Sequence, residues 1–178
     1  MKFASERGLN QGAARRLGRR TFGLGLLAAW MLRPAATFAV QTKAPTAFGN
    51  VLPFDTGTWA SLLSHGPRPA AYVFTTTYCS TCAEVFELLH QSIVAAHKPV
   101  VLAAVVMDET GARALKHAHH YQGISRLYAF DGFEPEIRQT VDPKWRNITP
   151  YVVLVGRSGA LQRSLGPPAP AMLKAWLA

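Results

Sequence analysis

Ala70-Ala-Tyr-Val-Phe-Thr75-Thr-Thr-Tyr78-Cys79-Ser-Thr-Cys82-Ala-Glu-Val-Phe86 holds both cysteines of the 178-residue chain. Residues 70–76 form an apolar, β-like run, and from Cys82 onward Phe86, Leu89, Ile93 and Ala96 recur at helical spacing. The pair is therefore expected at a strand-to-helix junction. A helix start leaves backbone N–H groups unpaired and concentrates partial positive charge, which favours a thiolate. Cys79 is expected in that first turn as the more acidic, attacking thiol, with Cys82 one turn deeper on nearly the same face as the resolving thiol. Side chains at this spacing close into a disulfide with slight local adjustment.

Two blander roles fit less well. A bridge across two intervening residues closes almost no loop, so it restricts the unfolded chain very little. A zinc site wants four ligands, and with no second cysteine pair in the chain histidines would have to complete it. Redox chemistry is the better use of the motif.

Toward the N-terminus, His65-Gly-Pro-Arg-Pro69 reads as a turn into the strand, and Thr58 to Ser64 as a short helix capped by Thr56 or Thr58. His65 is expected to be a solvated loop residue. Gln41 to Pro53 reads as a poorly ordered lead-in, so that 40–57 is a flexible segment ahead of a domain over 58–178. Residues 1–39 have the character of a leader: six Lys/Arg against Glu6 in the first 20, then an apolar run of 11 residues from Phe22 to Leu32. That run is short of the roughly 20 residues a membrane span needs.

Arg19-Arg20-Thr21-Phe22-Gly23-Leu24 resembles a twin-arginine export motif, with Gly23 where Leu is usual, and Thr37-Phe38-Ala39 offers small residues for cleavage after Ala39. A mitochondrial transit peptide is the rival reading, disfavoured by the compact apolar core. Export to the periplasm, or otherwise out of the cytosol, is expected, with transient membrane association through the leader. Beyond residue 39 the chain carries twelve basic and nine acidic residues, so the high pI belongs to the leader and no nucleic-acid surface is expected.

Toward the C-terminus, His97-Lys98-Pro99 stops the cysteine helix and Val100 to Met107 reads as a strand covered on both faces. Asp108-Glu-Thr110 is expected to cap a second helix running to about Tyr121 and ended by Gly123. Two strand–helix units imply a parallel pair with a right-handed crossover. His117 and His120 share a face of the second helix and could hold a metal, but solvated histidines are the commoner outcome and no metal is expected. Ser125 to Phe130 reads as a strand, Pro135 to Val141 as a helix, Asp142 to Asn147 as a loop, Ile148 to Leu165 as a hairpin, and Ala169 to Leu177 as a last helix with Met172, Leu173, Trp176 and Leu177 on its apolar side.

This order resembles the thioredoxin fold, and within it the exported TlpA/ResA-like thiol-disulfide oxidoreductases, over roughly residues 48–178. The resemblance implies an α/β, thioredoxin-like fold with a central mixed sheet flanked by helices. It implies catalytic Cys79 and Cys82, with a cis-proline at Pro150 facing them and Thr149 offering its backbone to a bound substrate strand. Tyr78 stands where relatives usually carry Trp and is counted with the substrate-binding residues. Tyr128-Ala-Phe-Asp131 and the helix after it resemble the family's insert. The function implied is exchange of a dithiol or disulfide with client proteins, as a reductant recharged by a membrane thiol donor, with no cofactor.

Departures matter too. Ser80-Thr81 replaces the usual intervening dipeptides. Val73 and Val85 stand where relatives carry Asp or Glu, so no proton acceptor for Cys82 is assigned, Glu84 facing elsewhere. The alternative is a copper chaperone of the SCO type, which resembles the Phe74-Thr-Thr-Thr-Tyr-Cys79 approach. That family, however, has three residues between its cysteines and a proline after them. A peroxiredoxin fits less well, with Tyr72 at the place of its active-site proline.

Overall fold

The computed structural model describes residues 49–178. The expected leader over 1–39 and its cleavage after Ala39 lie outside the described residues, as does the lead-in up to residue 48.

Six strands form one mixed sheet: β1 (Leu52–Phe54), β2 (Ala70–Thr75), β3 (Val101–Val106), β4 (Arg126–Phe130), β5 (Tyr151–Val155) and β6 (Leu161–Leu165). Their order is β1-β4-β3-β2-β5-β6. The first four in that order run parallel to one another, whereas β5 is antiparallel to β2 and β6 to β5. Every residue of β2 and β5 is buried. Their unbroken apolar sequences are what strands covered on both faces need.

The helices are α1 (Thr58–His65), α2 (Cys82–Ala96), α3 (Gly111–Lys116), α4 (Glu134–Val141) and α5 (Pro170–Leu177). Alternation along the strands sends Ala71 and Val73 into a core with α2, α3 and α5, where Phe86, Leu89, Ala114, Leu173 and Trp176 pack. Tyr72 and Phe74 point the other way, into an aromatic layer under α1 and α4. Phe74 lies at its centre, with ring centroids 5.0 Å from Trp145, 5.6 Å from Phe54 and 6.3 Å from Trp59 and Phe130. The Trp176 indole N–H reaches the Val155 carbonyl at 3.1 Å, docking α5 onto the sheet.

Several expectations are corrected. The flexible lead-in over 40–57 contains an ordered strand: β1 pairs with β4, and Phe54 is wholly buried against Phe74 and Phe130. Pro53 is tolerated there because β1 is an edge strand. The first helix is capped by neither Thr56 nor Thr58. Asp55 does it, its carboxylate accepting from the N–H of Gly57 (2.9 Å) and Thr58 (2.8 Å) and from the Thr58 hydroxyl (2.7 Å). The second helix does not continue to Tyr121. It stops at Lys116, and Ala118–His120 form a separate 3-10 turn.

The helix end expected at residue 97 holds, whereas the helix expected to be ended by Gly123 already ends at Lys116. His97 takes a left-handed conformation (φ 50°) after α2. Gly123 has φ +73°, and a Cβ there would meet the His90 ring at 2.1 Å, so both backbone and space demand glycine.

The loop after α4 is tied to the sheet by Asp142, which accepts from the Tyr151 hydroxyl at 2.6 Å and from the Lys144 N–H at 2.9 Å, with Arg163 Nε at 3.5 Å. The Tyr151 hydrogen bond is the main cause that holds its carboxyl below the usual 3.8. A carboxyl depressed in the folded state adds stability that is complete above its unfolded pKa and is lost as pH falls through the folded value. Asp142→Asn should therefore lose less stability than the parent between pH 7 and the region below 3.8 in urea unfolding. Equal losses would contradict the assignment.

Candidate functional site

The cysteines stand where β2, central in the sheet, hands over to α2. β2 ends at Thr75, the chain turns through Thr76–Thr81, and α2 opens at Cys82. Cys79 is thus just ahead of the helix rather than in its first turn, and Cys82 opens the helix rather than lying one turn deep. Two backbone bonds shape the turn, Cys79 N–H to the Thr76 carbonyl (3.2 Å) and Cys82 N–H to the Cys79 carbonyl (3.3 Å). They bring the two Cα atoms to 5.5 Å, and the sulfurs are joined as a disulfide.

The two sulfurs differ in access. Cys82 is 1% exposed and packs into the core with Val85 and Phe86, whereas Cys79 is only half-buried. Fifteen residues of α2 lie behind the pair with their N-terminal end toward it, which favours negative charge there.

Asp108, expected as a helix cap, serves the cysteine turn instead. Both of its carboxylate oxygens accept from the Thr77 N–H (3.0 Å), and one also accepts from the Thr77 hydroxyl at 2.6 Å. This ties the end of β3 to the turn that presents Cys79. The helix that follows Thr110 has no side-chain cap.

A groove of about 250 Å³ opens beside the disulfide, with Tyr78 and Cys79 on one side and His120 and Tyr121 on the other. Tyr78, expected to touch substrate, is 79% exposed. The antiparallel register pairs Tyr151 with Phe74, so Thr149 and Pro150, just before Tyr151, come to the end of β2 from which the cysteine turn leaves. Pro150 is buried, Thr149 half-buried, and the peptide between them is cis. Glu84 is exposed and faces a different groove, with Glu87 and Gln91. Val73 and Val85 are buried, leaving no carboxylate at either position.

His117 and His120 do come near each other, ring centroids 6.2 Å apart, but His120 packs more closely on His119, at 3.8 Å. Among the described residues no group of three His, Cys, Asp or Glu side chains could hold a metal. Nor is any helix among them long and apolar enough to cross a membrane.

The sequence reading missed His120 and Tyr121 as neighbours of the cysteines. A continuous helix through residue 121 would have put Tyr121 simply on its apolar side; the 3-10 turn re-aims both residues. Burial first, then the charges of His119 and His117, lower the His120 pKa from its ordinary value of 6.5.

The element order, a mixed sheet with four parallel strands and an antiparallel hairpin, and a Cys-x-x-Cys turn between β2 and α2 define a thioredoxin-like α/β fold carrying a dithiol/disulfide site. No family model matches the chain, and no curated protein matches it. Among solved structures it is similar to a thiol:disulfide interchange protein of the thioredoxin family from Chlorobium tepidum TLS, at 19% identity over 67% of this chain and 84% of that one, TM-score 0.47. It is also similar to a thioredoxin-related protein from Neisseria meningitidis serogroup B, at 13% identity over 65% of this chain and 87% of that one, TM-score 0.47. A third is a secreted Mycobacterium tuberculosis disulfide oxidoreductase, at 18% identity over 61% of this chain and 76% of that one, TM-score 0.42.

Proposed function

We propose that this protein is a TlpA/ResA-like, exported thiol-disulfide oxidoreductase that works as a reductant on disulfides of client proteins. The observation that carries the reading is the asymmetry of the pair: a half-buried Cys79 on an open groove, bonded to a buried Cys82 at the start of α2. In the dithiol state the Cys79 thiolate attacks a client disulfide, and one client sulfur leaves as thiolate. Cys82 then attacks Cys79 Sγ, which closes the disulfide and releases the second client sulfur. Two electrons pass to the client, and the oxidised pair is recharged by a membrane thiol donor.

Tyr78, exposed beside Cys79, and the backbone of Thr149 ahead of Pro150 are suited to hold an extended client segment across the sulfur. Thr149 lies in the bend just ahead of β5, outside the sheet's ladder, where its backbone groups are placed to pair with an extended client segment. The reductant direction is motivated by the family resemblance and supported by the make-up of the motif. Ser80-Thr81 places no cation between the cysteines, so within the motif the helix terminus is what favours the thiolate. A less stabilised thiolate makes a more reducing pair.

Cys82→Ser should accumulate mixed disulfides with clients through Cys79, visible as adducts lost on reduction. Trapping by Cys79→Ser instead would reverse the two roles.

A further inference from the structure

The groove beside the cysteines contains a buried polar group with no use in the scheme above. Tyr121 is 6% exposed, its ring packs on Phe86 with centroids 4.9 Å apart, and its hydroxyl has no hydrogen-bond partner of good geometry. The polar side chain beside it is Thr75, which interacts weakly with the phenol and donates its own hydroxyl proton to the Thr76 carbonyl at 3.2 Å. Phe86 follows Cys82 by one turn of α2, and Tyr121 and Cys82 share both the groove and the core cluster. A buried hydroxyl without a partner is costly, so such a group calls for a reason.

Cys82 has the complementary need. When reduced it must form a thiolate inside an apolar environment of Val73, Val85 and Phe86, where burial disfavours charge and the neighbouring carboxylate, Asp108, is engaged by Thr77. We infer that the Tyr121 hydroxyl is the hydrogen-bond donor to the Cys82 sulfur in the reduced and mixed-disulfide states, and that it sets the speed of the resolving step. This rests on the redox reading above.

The phenol is suited to donate rather than to accept a proton. Burial, then the Asp108 carboxylate, push its pKa up to about 12, so it stays protonated at neutral pH. The other polar groups at the groove are the Thr76 hydroxyl, also buried without a partner, Thr77, which is bonded to Asp108, Tyr78, Ser80, and His120, whose pKa is lowered first by burial. In the step itself the Cys82 thiol gives its proton to water in the groove, and its thiolate forms the S–S bond to Cys79. The Cys79–client S–S bond breaks, and the client sulfur leaves with the electron pair and is protonated by solvent.

The test titrates Cys82 by its alkylation rate against pH in Cys79→Ser, where it is the remaining thiol, with and without Tyr121→Phe. Loss of the donor should raise the Cys82 pKa by about one unit or more. In the protein with both cysteines, Tyr121→Phe should slow resolution of a preformed mixed disulfide with glutathione roughly ten-fold, while alkylation of Cys79 is unchanged. Its melting temperature should be equal to or above the parent's, since an unpaired hydroxyl has been removed.

An unmoved Cys82 pKa overturns the inference, whether or not stability falls. Should Tyr121→Phe not fold, 3-fluorotyrosine at 121, a stronger donor of the same shape, must lower the Cys82 pKa, and no change there is equally fatal. Parent protein that never exchanges with glutathione would instead sink the underlying redox reading, while the alkylation comparison still decides the hydrogen bond.

Discussion

Cys79→Ser should reduce thiol-disulfide exchange at least about a thousand-fold, to the uncatalysed level, because a serine hydroxyl forms no appreciable anion near neutral pH and cannot attack sulfur. The expectation is specific to Cys79. Cys82 retains a thiol in this variant, but it is 1% exposed and a client sulfur cannot reach it without opening the core. Insulin reduction followed by turbidity, with dithiothreitol as electron source, checks the prediction. The fold should survive, since the bond removed spans only a few residues and constrains the unfolded chain little. Retention of more than about a tenth of parental activity would mean that the reactive thiol is Cys82.

Phe74→Ala should have the largest effect on stability, about 3–5 kcal/mol. Phe74 is wholly buried, and its ring meets those of Phe54, Trp145 and Tyr151, which come from three separate segments of the chain. Its removal both forfeits apolar burial and leaves a cavity that rings fixed on a sheet cannot collapse to fill. Against a domain stability of about 5–15 kcal/mol, such a loss brings unfolding within reach of mild denaturant. Urea titration gives the number, and a cost under about 1 kcal/mol would show that the aromatic layer repacks freely.

Much of this architecture was legible because the central strands are continuous apolar runs and the cysteine helix keeps a regular stripe. The hairpin and the last helix were legible for the same reason. What escaped has identifiable physical causes. β1 has three residues and one is Pro53, too short for a period of two to emerge. Asp55 caps α1 from outside the segment where a cap is ordinarily sought. Asp108 bonds Thr77, 31 residues away, a pairing that local pattern cannot reveal. At the candidate site, the cysteine pair announced itself by spacing, and a cis peptide between Thr149 and Pro150 was expected through resemblance to a family. Tyr121 and His120 did not, because the break after Lys116 changes the direction in which both side chains leave the backbone.

The central claim is that Cys79 and Cys82 form a reversible couple poised to reduce other proteins. It is tested most directly by equilibrating the purified protein with glutathione buffers of graded ratio and measuring the fraction of dithiol. The account predicts a single two-electron transition with a potential on the order of −250 mV or lower. A potential above about −150 mV would contradict the reductant assignment, and a pair that does not titrate at all would contradict the redox reading itself.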